Sequence, residues 1–295
     1  MKKLVCLTLV LLLCLSLCAS LAEEPIPEIT WDFPVPLCEI KSEYAILVNA
    51  ENLLDQSYVP NPLVKVKNIK RATSASVQLQ ETAAEALKAM FDGALLVTEY
   101  TYTNEKGKQK VEEYGTGGMV LYLKSGYRSY GTQSTTYANY LARNNNVDDG
   151  YVAKPGASEH QTGICADILN EDYAGRSRMT QDFKYTPEAQ WMKENCAEFG
   201  FILRFTEEGE AKTGIKFEPW HFRYVGKPIA EYIMENGMTL EEFTQEAQAA
   251  YDDFIARGGN EQEWLRYEQK KLNSPLSYVL EECDEVGDAE VSLVY

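Results

Sequence analysis

Residues 155–167 read PGASEHQTGICAD and residues 218–226 read EPWHFRYVG, and these two stretches hold both histidines of the chain, His160 and His221. Asp167 follows His160 by seven positions with Gly163 between them, a spacing that suits two metal ligands at the ends of a tight turn running into a strand. Glu218 precedes His221 by three positions, but Pro219 interrupts any regular helix between them, and the helical HExxH arrangement is absent. A bent lead into a strand is the expected way for Glu218 and His221 to reach one site. Two imidazoles and a carboxylate make a three-ligand zinc set with an open position, and Glu218 is then left over as a proton carrier. Spacing alone also fits two loop histidines with ordinary hydrogen-bond partners.

Outward from these stretches the periodicity alternates between helix and strand. Residues 45–50 (AILVNA) are a short apolar run that fits a buried strand, and 58–66 (YVPNPLVKV) carry the prolines of a surface loop. Gln80 to Phe91 places Ala, Leu and Met at helical spacing. Met119 to Leu123 reads as a second apolar strand leading into SGYRSYGTQ (125–133), and Thr132 to Arg143 as a tyrosine-rich helix. Thr186 is placed to cap a helix with Pro187 in its first turn, and Trp191, Met192, Cys196 and Phe199 form its apolar stripe, read as core. Gly200 ends that helix, FILRF (201–205) reads as a strand, and Thr239 with Glu242 has capping-box spacing. The pattern predicts an α+β domain over residues 44–245, with helices packed on a small, mainly antiparallel sheet whose strands present the ligands. An extended, Pro- and Glu-rich linker (23–43) precedes it. An acidic C-terminal extension (246–295), helical or flexible, follows it.

Lys2 and Lys3, the apolar run Leu4 to Leu17 and the small residues Ser20 and Ala22 read as a secretory signal peptide over residues 1–22, cleaved after Ala22. A retained anchor is the competing reading, although spanning a bilayer takes about 20 apolar residues. A lipid anchor through Cys18 is a third, with Leu17 standing where a small residue is expected. No later segment is apolar enough to cross a membrane, so the protein is expected to be secreted or to sit in the cell envelope. Cleavage would take the formal charge from −17 to −19, which disfavours nucleic acid as a partner because phosphate binding needs basic surface. Cys38, Cys165, Cys196 and Cys283 would remain, with three possible pairings that sequence cannot choose between, and they read best as small core residues. Cys165 stands two places before Asp167 and would share a strand face with it.

Taken together and in this order, SGYRSYGTQ, PGASEHQTGICAD and EPWHFRYVG resemble the VanY-type zinc D-alanyl-D-alanine carboxypeptidases, over about Leu47 to Leu240. The resemblance implies a DD-peptidase-like fold, shared with hedgehog domains, and Zn2+ held by His160, Asp167 and His221. It implies Glu218 as the catalytic general base and acid, with Arg128, Gln133 and Ser158 binding substrate. Arg128 could grip a terminal carboxylate or stabilise an oxyanion. The implied partner is the stem peptide of peptidoglycan, cut at D-Ala-D-Ala. The alternatives are an L,D-carboxypeptidase, an endopeptidase, or a zinc-dependent module that binds wall peptides without cutting them. Cys165 departs from the family, which usually has a small or aliphatic residue there, and the implied metal shell is complete without it.

Overall fold

The computed structural model describes residues 26–73 and 76–273. Strands β1 (Leu63–Lys65) and β2 (Gln78–Gln80) pair antiparallel, and β3 (Glu99–Thr103) and β4 (Gln109–Glu113) form a hairpin. The remaining four, β5 (Tyr122–Ser125), β6 (Cys165–Leu169), β7 (Phe201–Leu203) and β8 (His221–Tyr224), make an antiparallel sheet in the order β5-β6-β8-β7. This is the α+β architecture expected from the sequence.

The register of this sheet decides the site. Ser125 on β5 stands opposite Asp167 on β6 after an irregularity that follows Leu123, and Asp167 stands opposite His221 on β8. Three polar residues thus lie in one row across the sheet. Around them, β6 is buried along its whole length, as suits a central strand. The helix Glu81–Ala94 turns Ala83, Leu87, Met90, Phe91 and Ala94 inward at helical spacing. Leu87, Met90 and Phe91 join Leu79, Leu123, Ile168, Phe201, Trp220 and Phe222 in one apolar cluster. Trp220 and Phe222 are therefore core residues, and Tyr224 packs at the cluster's edge. The helix Pro187–Asn195 begins as expected, with the Thr186 hydroxyl accepting from the Ala189 amide, and Trp191, Met192 and Cys196 are buried. The Thr239–Glu242 capping box also forms, through Thr239 N to Glu242 Oε2 and Glu242 N to Thr239 Oγ1.

Other local expectations need correction. Residues 45–50 are not a strand: Glu43–Ala45 is a 3-10 turn, and the carbonyls of Tyr44 and Ile46 accept from Arg223 Nη2 at 3.0 and 2.6 Å. A buried guanidinium takes the backbone groups that a neighbouring strand would have taken. The strand expected at Met119–Leu123 starts only at Tyr122, because the Met119 amide bonds back to Ala94 and Val97 and Gly118 turns the chain at φ +67°. The β3–β4 hairpin was not foreseen, since β4 is exposed at every position and has no apolar alternation to read. Its turn is set by Asn104, whose side chain accepts from the amides of Lys106 and Lys108. The stretch read as linker contains a short helix, Leu37–Ile40, with Leu37 fully buried.

Residues 34–249 form one compact unit. A second comprises, among the described residues, 26–33 with 250–273. Within it Trp31 meets Phe254 edge-on, Phe254 meets Trp264, and Arg257 pairs with Asp32 and Asp253. The C-terminal extension is thus helical through Glu261–Leu272. The leader read at 1–22, Cys283 and the end of the extension lie outside the described residues.

The turn between His160 and Asp167 depends on Gly163, which has φ +71° and would bring a Cβ to 3.0 Å from Leu63 Cδ2. An L-residue in that conformation costs roughly 1–2 kcal/mol. Gly163→Ala is expected to lower unfolding free energy by at least about 1 kcal/mol in urea titration, and an unchanged midpoint would show that the turn tolerates a side chain.

Candidate active site

His160 lies on a 3-10 turn (Glu159–Thr162) before β6, with Asp167 within β6 and His221 at the start of β8. All three are buried. The His160 Nδ1 bonds the Gly126 carbonyl at 2.7 Å, which leaves Nε2 facing Asp167 Oδ2 at 3.4 Å. His221 is turned the other way: its Nε2 faces Glu159 Oε2 at 3.4 Å, and its Nδ1 faces Asp167 Oδ1 at 3.2 Å and Glu218 Oε2 at 3.6 Å. Each ring therefore gives one nitrogen to an orienting acceptor and presents the other to Asp167, the arrangement that fixes a metal-binding tautomer. Donors on a tetrahedral zinc with bonds of 2.0–2.3 Å lie roughly 3.3–3.8 Å apart. The separations of 3.4 and 3.2 Å, each to a different oxygen of Asp167, are close to that edge, so the carboxylate can share a metal ion with either imidazole.

Cys165 also converges here. Its sulfur and one nitrogen from each histidine lie within 4.8 Å of one another, all three side chains being buried. The rings of His160 and His221 stand edge to face at 5.1 Å, and Phe205 covers His221 at 4.9 Å. Sequence reasoning put Cys165 on the face of β6 that carries Asp167, as found, but did not count it as a ligand.

The electrostatics are those of a site built for positive charge. Burial works against protonation of His160 and His221, but Cys165 and Asp167 outweigh it, leaving His160 raised to about 9 and His221 well above its usual value. Burial likewise opposes ionisation of Asp167, yet the two imidazoles hold it far below the carboxylate range. The Cys165 thiol, which burial alone would raise, is drawn down to about 7 by the same rings. A divalent ion would replace imidazole protons and release them on binding. Glu218 differs. Burial pushes it up to about 7 with help from Asp167, against the pull of His221, His160 and Arg128, and its side chain keeps 15% exposure. It sits where Pro219 bends the chain, with the His221 amide bonded to its carbonyl at 3.1 Å, so the bent lead read from sequence is present.

Arg128 and Gln133 are brought together, with Arg128 Nη1 donating to Gln133 Oε1 at 2.8 Å. Arg128 Nη2 reaches Ser125 Oγ at 3.3 Å, and the Arg128 amide bonds the His160 carbonyl. Gln133 is buried and donates to the Ala153 carbonyl at 2.6 Å. Ser158 is buried two residues before His160, and its hydroxyl does not cap the turn it opens. A cavity of about 110 Å³ lined by Asn49, Asp148, Lys154, Ala157, Phe205 and Ile215, among others, touches none of the metal candidates.

The residue most conspicuously missed is Glu159. Its Oε1 accepts from Arg204 Nε at 2.8 Å and Arg223 Nη1 at 2.7 Å, and Arg204 forks onto Glu241 at 2.8 and 2.6 Å. The signal was available in the sequence: single arginines inside the apolar strands FILRF and HFRYV need buried carboxylate partners.

The VanY family model, D-alanyl-D-alanine carboxypeptidase, matches residues 100–227, which include every candidate site residue above. The protein YodJ of Bacillus subtilis (strain 168), whose name assigns it provisionally to the carboxypeptidases, is 33% identical over 206 residues, 68% of this chain and 67% of its own. The chain belongs to the VanY family. VanXYC of Enterococcus gallinarum, a bifunctional D-Ala-D-Ala dipeptidase and carboxypeptidase, is 35% identical over 46% of this chain and 67% of its own. Across the curated relatives it matches, the chain spans between two-fifths and two-thirds of their length. Among solved structures, the LdcB LD-carboxypeptidase aligns at TM-score 0.55 and 32% identity, over 68% of this chain and 84% of that one. VanYB in complex with D-alanine-D-alanine aligns at TM-score 0.51 and 25% identity, over 68% and 97%. A VanY variant in complex with Zn(II) aligns at 0.50 and 26%, over 68% and 98%. Among the described residues no helix is long and apolar enough to cross a membrane.

Glu159→Ala is expected to cost about 3–5 kcal/mol in chelator-treated protein, because it leaves Arg223 buried without a carboxylate. Glu159→Gln keeps the shape and removes the charge behind His221. Chelator competition should then show zinc bound roughly 10–100-fold more weakly, whereas unchanged affinity would mean that His221 is oriented without Glu159.

Proposed function

We propose that the chain is an exported, zinc-dependent carboxypeptidase that removes the C-terminal D-amino acid from peptidoglycan stem peptides. The observation that carries this reading is the convergence of His160 Nε2, Asp167 and His221 Nδ1 with Glu218 beside them. In it, His160, Asp167 and His221 hold the metal, which supplies Lewis acidity to the scissile carbonyl and lowers the pKa of a bound water. Glu218 takes a proton from the attacking water and passes it to the leaving amine, a role that suits a carboxylate poised near neutral pH. Arg128, anchored by Ser125 and Gln133, binds the peptide's terminal carboxylate, and Ser158 contacts the same end of the peptide. Residues 44–245 are the catalytic domain, and the leader directs export to the cell envelope, where the substrate lies.

Similarity to an LD-carboxypeptidase structure supports a second reading, in which the bond cut is the L,D-bond of a tetrapeptide. A binding module without turnover is less favoured, because recognition alone has no use for a carboxylate at Glu218.

Glu218→Ala is expected to retain one zinc per chain and to lose hydrolysis of a stem pentapeptide by several orders of magnitude. D-alanine release at the normal rate would contradict the mechanism. Since the base must be ionised, kcat/KM should fall as pH drops below Glu218's pKa, which is about 7 without metal and is drawn lower by a bound cation. A profile that stays flat down to about pH 4, the range of an unperturbed glutamate, would exclude Glu218 as the base.

A further inference from the structure

We propose that Cys165 is a fourth protein ligand, so that this chain holds its metal with two imidazoles, a carboxylate and a thiolate. The inference rests on the zinc reading above and adds a residue to it. Cys165 and Asp167 are alternate residues of β6 and project from one face, so both can reach an ion held between β6 and β8. Opposite them, His221 pairs directly with Asp167 and lies diagonal to Cys165, whose own partner is Arg223. The thiol is completely buried, and its sulfur lies within 4.8 Å of a nitrogen on each of the two histidines. Bringing these three donors from that separation to the roughly 3.3–3.8 Å of a tetrahedral zinc closes them by at most about 1.0–1.5 Å.

The other buried thiol among the described residues makes a contrast: Cys196 sits in the apolar cluster and donates to the Lys193 carbonyl at 3.8 Å. Cys165 instead faces the two groups most able to share a cation with it. On coordination the thiol proton passes to solvent and the sulfur binds as thiolate, with no oxidant or reductant needed. Catalytic zinc keeps a position for water, so with four protein ligands hydrolysis requires five-coordination in the transition state or release of one ligand. A thiolate should also shift preference toward thiophilic ions and hold the metal more tightly.

The test is zinc-edge X-ray absorption on the wild-type full chain loaded with one equivalent of Zn2+. The expected result is one sulfur neighbour at about 2.3 Å beside nitrogen and oxygen neighbours at about 2.0–2.2 Å. A shell of nitrogen and oxygen alone would overturn this proposal and leave the three-ligand zinc reading standing. Failure to bind zinc would overturn both. As a second measurement, the Co2+-loaded protein should show a sulfur-to-cobalt charge-transfer band in the near ultraviolet that Cys165→Ala lacks. The variant, folded by circular dichroism, should bind zinc at least about tenfold more weakly. Identical spectra and affinities would again refute the assignment.

Discussion

The carboxylate of Glu159 is the constraint on which the rest of this structure depends. It is buried, and it meets Arg204, Arg223 and His221 at once. Through Arg204 it is joined to Glu241, which Asn49 also contacts, and through Arg223 to the carbonyls of Tyr44 and Ile46. One side chain thereby links the turn before β6, the residue after β7, strand β8, the start of the helix Leu240–Ala256 and the lead-in near residue 45. Buried ion pairs add little net stability, because desolvation offsets most of the attraction. What this one does is fix geometry. In this arrangement both guanidiniums and the carboxylate are satisfied, the Nε2 of His221 is occupied and its Nδ1 points to Asp167.

The division of labour in the site follows from that arrangement. The metal candidates stand on a turn and two central strands whose register is locked by backbone pairing, so their separation varies little. Glu218 sits outside the sheet, at a proline bend, part-exposed and with a raised pKa. In the proposed mechanism the groups assigned to the cation are thus buried on a turn and two paired strands, whereas the group assigned to proton transfer is partly exposed. Arg128 and Gln133 are tied to β5 through Ser125 and to the loop at Ala153.

Much of this was legible in the sequence, and the limits have physical causes. Residues that act through local spacing were readable: the Thr186 cap, the Thr239–Glu242 box, the Gly163 turn and the Pro219 bend each depend on neighbours within a few positions. The three motifs carried the site because their order and chemistry are tightly coupled. What failed depended on distant partners. Residues 45–50 look like a strand until Arg223, far along the chain, claims the carbonyls of Tyr44 and Ile46. The β3–β4 hairpin has an exposed strand with nothing for a hydrophobic pattern to register. Glu159 lies inside a quoted motif yet goes unread, because its meaning depends on Arg204, just after β7, and Arg223 on β8. Cys165 was judged by what the family shell requires and not by where its sulfur falls.

Whether these residues form a metal-dependent hydrolytic site for wall peptides is tested most directly by measuring metal content together with the products of defined stem tetra- and pentapeptides. The expected result is one zinc per chain, loss of turnover on chelation with recovery on adding Zn2+, and release of a single C-terminal D-amino acid. Turnover that persists in fully chelated protein, or saturating zinc with no released residue, would contradict it.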